Sequence, residues 1–171
     1  KETARAFARA GYALCLQYRT HEREAQALCE ELRENGCPCL CLQADLRREE
    51  DVNTLVRTAE QEFSHIDVLV NNAGYGIFGA LEEINDAETR AIFDTNVFGA
   101  MNVTRAVLPH MRSQKSGRIV MLGSAASLAC DPGGALYDTT KAALASLSNV
   151  LSLEMKPFGI QSMVIAPGMF R

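Results

Sequence analysis

Long apolar runs are missing from this sequence. No stretch approaches the roughly 20 residues that a helical membrane span needs, so the expectation is a chain with no membrane role. Positive charge is not in excess either. Lys and Arg total 17 against 21 Asp and Glu, a net charge of −4, and a nucleic-acid binder would ordinarily carry a basic face. Low-complexity segments, internal repeats and an interdomain linker are all lacking, and no leader is evident at the start. What is present is an ordinary globular composition: 171 residues, 47% hydrophobic and 22% charged, enough for a single domain with a sizeable core.

The six cysteines lack the spacing of a metal site. Three of them alternate in "CPCLC", at Cys37, Cys39 and Cys41, and metal pairs usually leave two or more residues between cysteines, with a second cluster following. Alternation places all three on one face of an extended segment, where they read as small buried hydrophobes. No metal is expected. A reduced, cytoplasmic chain fits this usage best, and the sequon at Asn102 is then noise.

Helix-like and strand-like patterns alternate along the chain. "KETARAFARAG" reads as a helix ended by Gly11, "YALCLQY" as a buried strand, and "EREAQALCEELRENG" as a helix stopped by Gly36. The strand "CLCLQADL" and the helix "REEDVNTLVRTAEQEF" follow, then "IDVLVNNAG", a strand running into a glycine turn. A long helical region is expected over about Asp86 to Met111 with Pro109 near its end, then the strand "GRIVMLGS", a helix from about Leu136 to Met155 stopped by Pro157, and the strand "GIQSMVIAPG". Strands separated by helices imply an α/β fold, a doubly wound parallel sheet with helices on both faces. In such sheets ligands sit beyond the carboxyl ends of the strands, which draws attention to "QADL", "NNAG", "LGSAAS" and "APGM".

One helical stretch holds a pair with chemistry in it. In "YDTTK", Tyr137 and Lys141 are four residues apart and share a helix face. A free phenol titrates near pH 10. A neighbouring ammonium favours the phenolate and moves the phenol towards the range where acid–base catalysis works. Asn96 interrupts an otherwise apolar helical stretch, and a buried amide needs partners.

Five motifs in order resemble the short-chain dehydrogenase/reductase family: "NNAG" at Asn71 to Gly74, Asn96 in "TNVFG", Ser124 in "GSAAS", "YDTTK", and "PG" at Pro167 and Gly168. The order and spacing match from Gly11 to the last residue. The resemblance implies a Rossmann-type dinucleotide-binding domain over residues 1–171. It implies hydride transfer between a nicotinamide cofactor and a carbonyl or secondary alcohol, of ketone or 3-oxoacyl type by the context "PGGALYDTTK". Tyr137 is then the acid/base, Lys141 tunes it and holds ribose, and Ser124, favoured by spacing over Ser127, orients the substrate oxygen. Asn96 supports a water relay or pins its helix to a neighbouring strand. Asn71, Ala73 and Gly74 border ribose and nicotinamide, and the turn at Pro167 and Gly168 passes close to the nicotinamide. Asp45 and Leu46 border adenine, unless Asp45 instead caps the helix that follows it.

The position where an acidic residue would hold the ribose 2′-hydroxyl of NAD carries Tyr18 followed by Arg19. Arginine suits a phosphate, so NADP(H) is expected. The family's glycine-rich phosphate loop, its first strand and its last strand have no counterpart in the sequence. A longer parent chain is expected for that reason. A homodimer or homotetramer is implied through the long helices. A non-catalytic dinucleotide-sensing or protein-binding relative, or an inactive truncated fragment, is the second reading.

Overall fold

The computed structural model describes residues 1–125 and 132–167. It divides into two compact units, the first ending at Ser64 and the second starting at His65.

The first unit contains α1 (Glu2–Arg9), β1 (Leu14–Tyr18), α2 (Glu22–Glu34), β2 (Cys39–Gln43) and α3 (Glu49–Phe63). Gly11 and Gly36 follow α1 and α2 with φ of +86° and +81°, a backbone region that glycine enters without steric cost. β1 and β2 run parallel, in register from Leu14 against Cys39 to Tyr18 against Gln43. The core joins Leu28, Cys29 and Leu32 of α2 to Cys37 and Cys39, with Leu14, Leu16 and Cys41 packed against them. The alternating cysteines are therefore core side chains. Arg5 ties α1 to α2 through two 2.7 Å hydrogen bonds to the Glu31 carboxylate.

The second unit contains β3 (Val68–Asn71), α4 (Asp86–Phe93), a π-helical turn (Asp94–Phe98), α5 (Gly99–Gln114), β4 (Gly117–Leu122), α6 (Ala135–Glu154) and β5 (Ile160–Ile165). Its three strands are all parallel, ordered β3-β4-β5. α5 packs on β3 and β4, and α6 on β4 and β5. α6 presents Leu136, Thr140, Leu144, Ser148 and Leu151 as a buried stripe, continued by Met155 just past its end, at three- and four-residue spacing. Asn85 and Glu88 start α4 with a reciprocal capping box, which satisfies two otherwise orphaned donors.

The helical region starting at Asp86 differs from expectation in two ways. It runs through Pro109, as expected, but ends at Gln114, three residues past Met111; the loss of one N–H bond to the Arg105 carbonyl is outweighed by burial of Val107 and Met111 in the same stretch. It also changes pitch at residues 94–98, around Asn96.

Candidate active site

α6 carries Tyr137 and Lys141 one turn apart, and the structure turns both to one face. The Lys141 Nζ lies 5.6 Å from the centroid of the Tyr137 ring, within cation–π range. Lys141 is only 6% exposed, and its ammonium donates a 2.7 Å hydrogen bond to the carbonyl of Leu122, the last residue of β4. Burial holds the amine below the ordinary lysine value, because a charged group loses hydration there. Tyr137 is half-buried.

Asn96 lies at the centre of the π-helical turn and is 1% exposed. Its Oδ1 accepts the Tyr75 N–H at 3.0 Å, and its Nδ2 donates to the Tyr75 carbonyl at 2.8 Å. The same Nδ2 donates to Thr140 Oγ1 at 3.1 Å, and that hydroxyl donates to the Tyr137 carbonyl at 2.8 Å. The expected pin to a neighbouring strand is thus a pin to the loop after β3 and to α6, since the amide pairs with a loop backbone that strand pairing leaves unsatisfied. A Cβ on Gly74 would sit 2.9 Å from Asn96 Oδ1. The glycine of "NNAG" is what lets the amide approach.

The carboxyl ends of the three strands carry the remaining residues of this unit. Asn71 ends β3 and is buried; its Nδ2 donates to Thr104 Oγ1 at 3.1 Å and to Met121 Sδ at 3.2 Å. Its side chain therefore fastens β3 to α5 and β4, while Ala73 and Gly74 just beyond it are exposed. Ser124 is half-buried, two residues past β4. Gly123 N donates to the Ile165 carbonyl at 2.8 Å and Ala125 N to the Pro167 carbonyl at 3.2 Å, which holds the exits of β4 and β5 side by side. Gly168 and Ser127 lie outside the described residues.

In the first unit, Tyr18 ends β1 and Arg19 follows it, exposed, with its carbonyl held by Gln43 Nε2 at 3.0 Å. Asp45 does not cap α3. Its carboxylate takes Arg47 Nε at 2.8 Å, the Arg47 backbone N–H at 3.1 Å, and Arg47 Nη2. The N-cap position belongs to Arg48, and Asp51 of α3 reaches back to accept the Asp45 N–H at 2.9 Å. The Arg47 hydrogen bonds, aided by the Arg47 and Arg19 charges, hold the Asp45 carboxyl down at about 2. Leu46 beside it is half-buried.

Three participants escape a reading of sequence alone: Tyr75, Thr140 and Phe78. The Phe78 ring lies 5.7 Å from the Tyr137 ring, tilted by 46°. Thr140 is inside "YDTTK" and could have been suspected. The glycines of "GYGIFG" were the signal for Tyr75 and Phe78, since closely spaced glycines mark close approach. A concavity of about 450 Å³ lined by Ser152, Lys156 and Ile160 to Met163 lies at the opposite ends of α6 and β5 and holds none of these residues.

Taken together, a phenol and a buried amine lie one turn apart on α6, and the amine is bonded to the end of the strand whose exit carries Ser124. That set can exchange a proton with an oxygen held nearby.

A family model described as "short chain dehydrogenase" matches residues 1–171. Oxidoreductase UcpA of Escherichia coli strain K12 is 38% identical over 169 residues, covering 98% of this chain and 64% of UcpA. The chain thus spans under two thirds of that relative's length. Among solved structures, NAD+-bound xylitol dehydrogenase superposes with a TM-score of 0.87 at 31% identity, covering 91% of this chain and 60% of that one. A gluconate 5-dehydrogenase from Burkholderia cenocepacia J2315, in complex with NADP and tartrate, superposes with a TM-score of 0.91 at 30% identity, covering 98% and 66%. The parallel sheets with helices on both sides are those of the doubly wound, Rossmann-type fold expected from the alternating pattern.

Proposed function

The chain belongs to the short chain dehydrogenase family, and on that premise we propose that the protein it comes from is an NADP(H)-dependent oxidoreductase acting on a ketone or 3-oxoacyl-type carbonyl, or on the corresponding secondary alcohol. All of residues 1–171 act as one dinucleotide-binding domain in this reading. The observation that carries it is the Tyr137–Lys141 pair, one face of one helix with the amine seated by the Leu122 carbonyl.

The residues present fit a nicotinamide dinucleotide. Ala73 and Gly74 expose backbone just past the end of β3, where a ribose could rest. Among the described residues the Lys141 amine donates to the Leu122 carbonyl, and an ammonium carries three donors, so others can serve ribose hydroxyls. In the first unit, Arg19 supplies a cation for a 2′-phosphate, and Asp45, already engaged by Arg47, presents no uncompensated negative charge against one. Asp45 and Leu46 border adenine in this reading, and Asn71, Pro167 and Gly168 border the nicotinamide side. When bound, the cofactor supplies or accepts the hydride.

The chain's own residues handle the proton. Tyr137 donates it to the carbonyl oxygen in reduction and takes it back in oxidation, and the positive amine beside the ring stabilises the phenolate left behind. Ser124 donates a hydrogen bond to the same oxygen and holds it in place. Asn96 holds the Tyr75 loop against α6 and so fixes the wall of the site. The free cysteines among the described residues support a reducing, cytoplasmic setting. Phe98, Val150 and Leu153, apolar and exposed on the π turn and α6, support assembly into a homodimer or homotetramer.

The test is NADPH oxidation by the full-length protein across a panel of carbonyl compounds, with Tyr137→Phe alongside. Tyr137→Phe is expected to lose roughly 10²- to 10⁴-fold in kcat. Turnover no greater than that of the variant for every compound overturns the enzyme reading.

A further inference from the structure

Phe78 is an apolar side chain in an unusual position. It is 72% exposed, yet its ring leans against Tyr137. A single exposed apolar side chain is ordinary on a protein surface. This one is held on both sides. Two residues before it, a Cβ on Gly76 would stand 2.6 and 2.9 Å from the Phe78 ring carbons and 3.5 Å from Tyr137 Cδ2. The glycine therefore leaves room for the two rings to meet. Before that, Tyr75 is fixed by its two hydrogen bonds to Asn96. After it, Gly79 N donates a 3.0 Å hydrogen bond to the Gly133 carbonyl, and Gly133 takes φ of +83° to offer it. Gly133 lies just ahead of α6, so the loop is fastened to the start of the helix that carries Tyr137. Three residues on, Leu81 is 64% exposed and adds a second apolar group to the same loop.

Ordering an aromatic ring beside the phenol while leaving its outer face in water gains little burial. The arrangement gains burial when something apolar lies on that face. We propose that Phe78 is a substrate-contacting, specificity-determining residue, and that the carbonyl reduced beside Tyr137 carries an aryl or alkyl flank which packs on the Phe78 ring. Hydroxylated, sugar-like ketones would leave their hydroxyl groups against an apolar face and lose hydration there. The inference rests on Tyr137 being the proton donor.

The experiment uses the full-length protein with NADPH and two probe ketones, 1-phenyl-1,2-propanedione and dihydroxyacetone. The ratio of their kcat/KM values is measured for the wild type, Phe78→Ala and Phe78→Leu. Binding of the phenyl ketone to the NADP⁺-saturated protein is measured separately by saturation-transfer NMR. The wild type is expected to favour the phenyl ketone. Phe78→Ala should reduce that preference roughly tenfold, mainly through KM, the scale of one lost aromatic contact, and Phe78→Leu should restore part of it. An unchanged ratio, a wild-type preference for dihydroxyacetone, or phenyl-ketone binding indifferent to Phe78 overturns the inference and leaves the oxidoreductase reading standing. Binding that depends on Phe78 without turnover of any ketone supports the contact and removes the oxidoreductase reading.

Discussion

Asn96 and Tyr75 exchange two hydrogen bonds: the Asn96 amide reads both the N–H and the carbonyl of one loop residue, at 3.0 and 2.8 Å. A side chain thereby does what a neighbouring strand would do, and it does so from a π-helical turn, a distortion that helices often carry near functional sites. Replacing Asn96 by Ala leaves both Tyr75 groups and the Thr140 hydroxyl short of a partner. The expected cost is about 2–4 kcal/mol, read as a lower denaturation midpoint in the full-length protein. Gly74→Ala should lose about 1–3 kcal/mol through overpacking against the same amide. Stability unchanged in both variants would show that the pair does not hold the loop.

Lys141 predicts a pH signature. Burial lowers its pKa in the folded state. Below that lowered value the folded and unfolded chains both carry the charge, and the burial cost is constant. As pH rises through the lowered value, the folded amine sheds its proton while the unfolded chain keeps it up to about 10.4. The unfolded state then binds more protons, so this group's contribution rises with pH across that window. Chemical denaturation from neutral pH to pH 10.5 should show wild type gaining on Lys141→Met over the alkaline limb. A gap that shrinks there contradicts the burial.

Arg19 predicts cofactor choice. The ratio of NADH to NADPH dissociation constants should favour NADPH in the wild type and collapse roughly tenfold or more in Arg19→Ala, the scale of a charge-assisted hydrogen bond to phosphate. Isothermal titration of the full-length protein measures both. Equal or tighter binding of NADH by the wild type ends the claim.

The thiols of the first unit should be inert while it is folded. Cys29, Cys37 and Cys39 are buried, and burial raises the Cys37, Cys39 and Cys41 thiols and takes Cys15 to about 11. The thiolate is the reactive form. Iodoacetamide at pH 8, followed by mass spectrometry, should label these cysteines slowly in buffer and rapidly in denaturant. Prompt labelling of Cys39 in buffer would contradict the packing of the core.

The alternation of strands and helices was legible from hydrophobic periodicity and glycine stops, and β1, α2 and α3 fall where their patterns put them, while β2 stops at Gln43, short of the expected end at Asp45 and Leu46. Joining of Tyr137 and Lys141 was legible because helix geometry dictates it. The rest depended on tertiary contacts. Nothing local marks residues 94–98 as π-helical; the turn accompanies the insertion of Asn96 between a loop and α6. Asp45 could be read as a helix cap from position alone, and it is Arg47, two residues on, that takes its carboxylate. Asn71 carries an amide suited to a ligand, but a hydroxyl on α5 and a sulfur on β4 claim its Nδ2. The path of the loop through Tyr75 and Phe78 follows from glycines whose partners lie 20 to 60 residues away.

Because the phenol and the amine ride on a single rigid rod, their separation is inherited from the pitch of α6. Drift in this protein's reactivity would have to come from elsewhere. Asn96 and Thr140 brace the rod from its flank, and the aromatic neighbour at position 78 can be exchanged, without disturbing the spacing of the phenol and the amine.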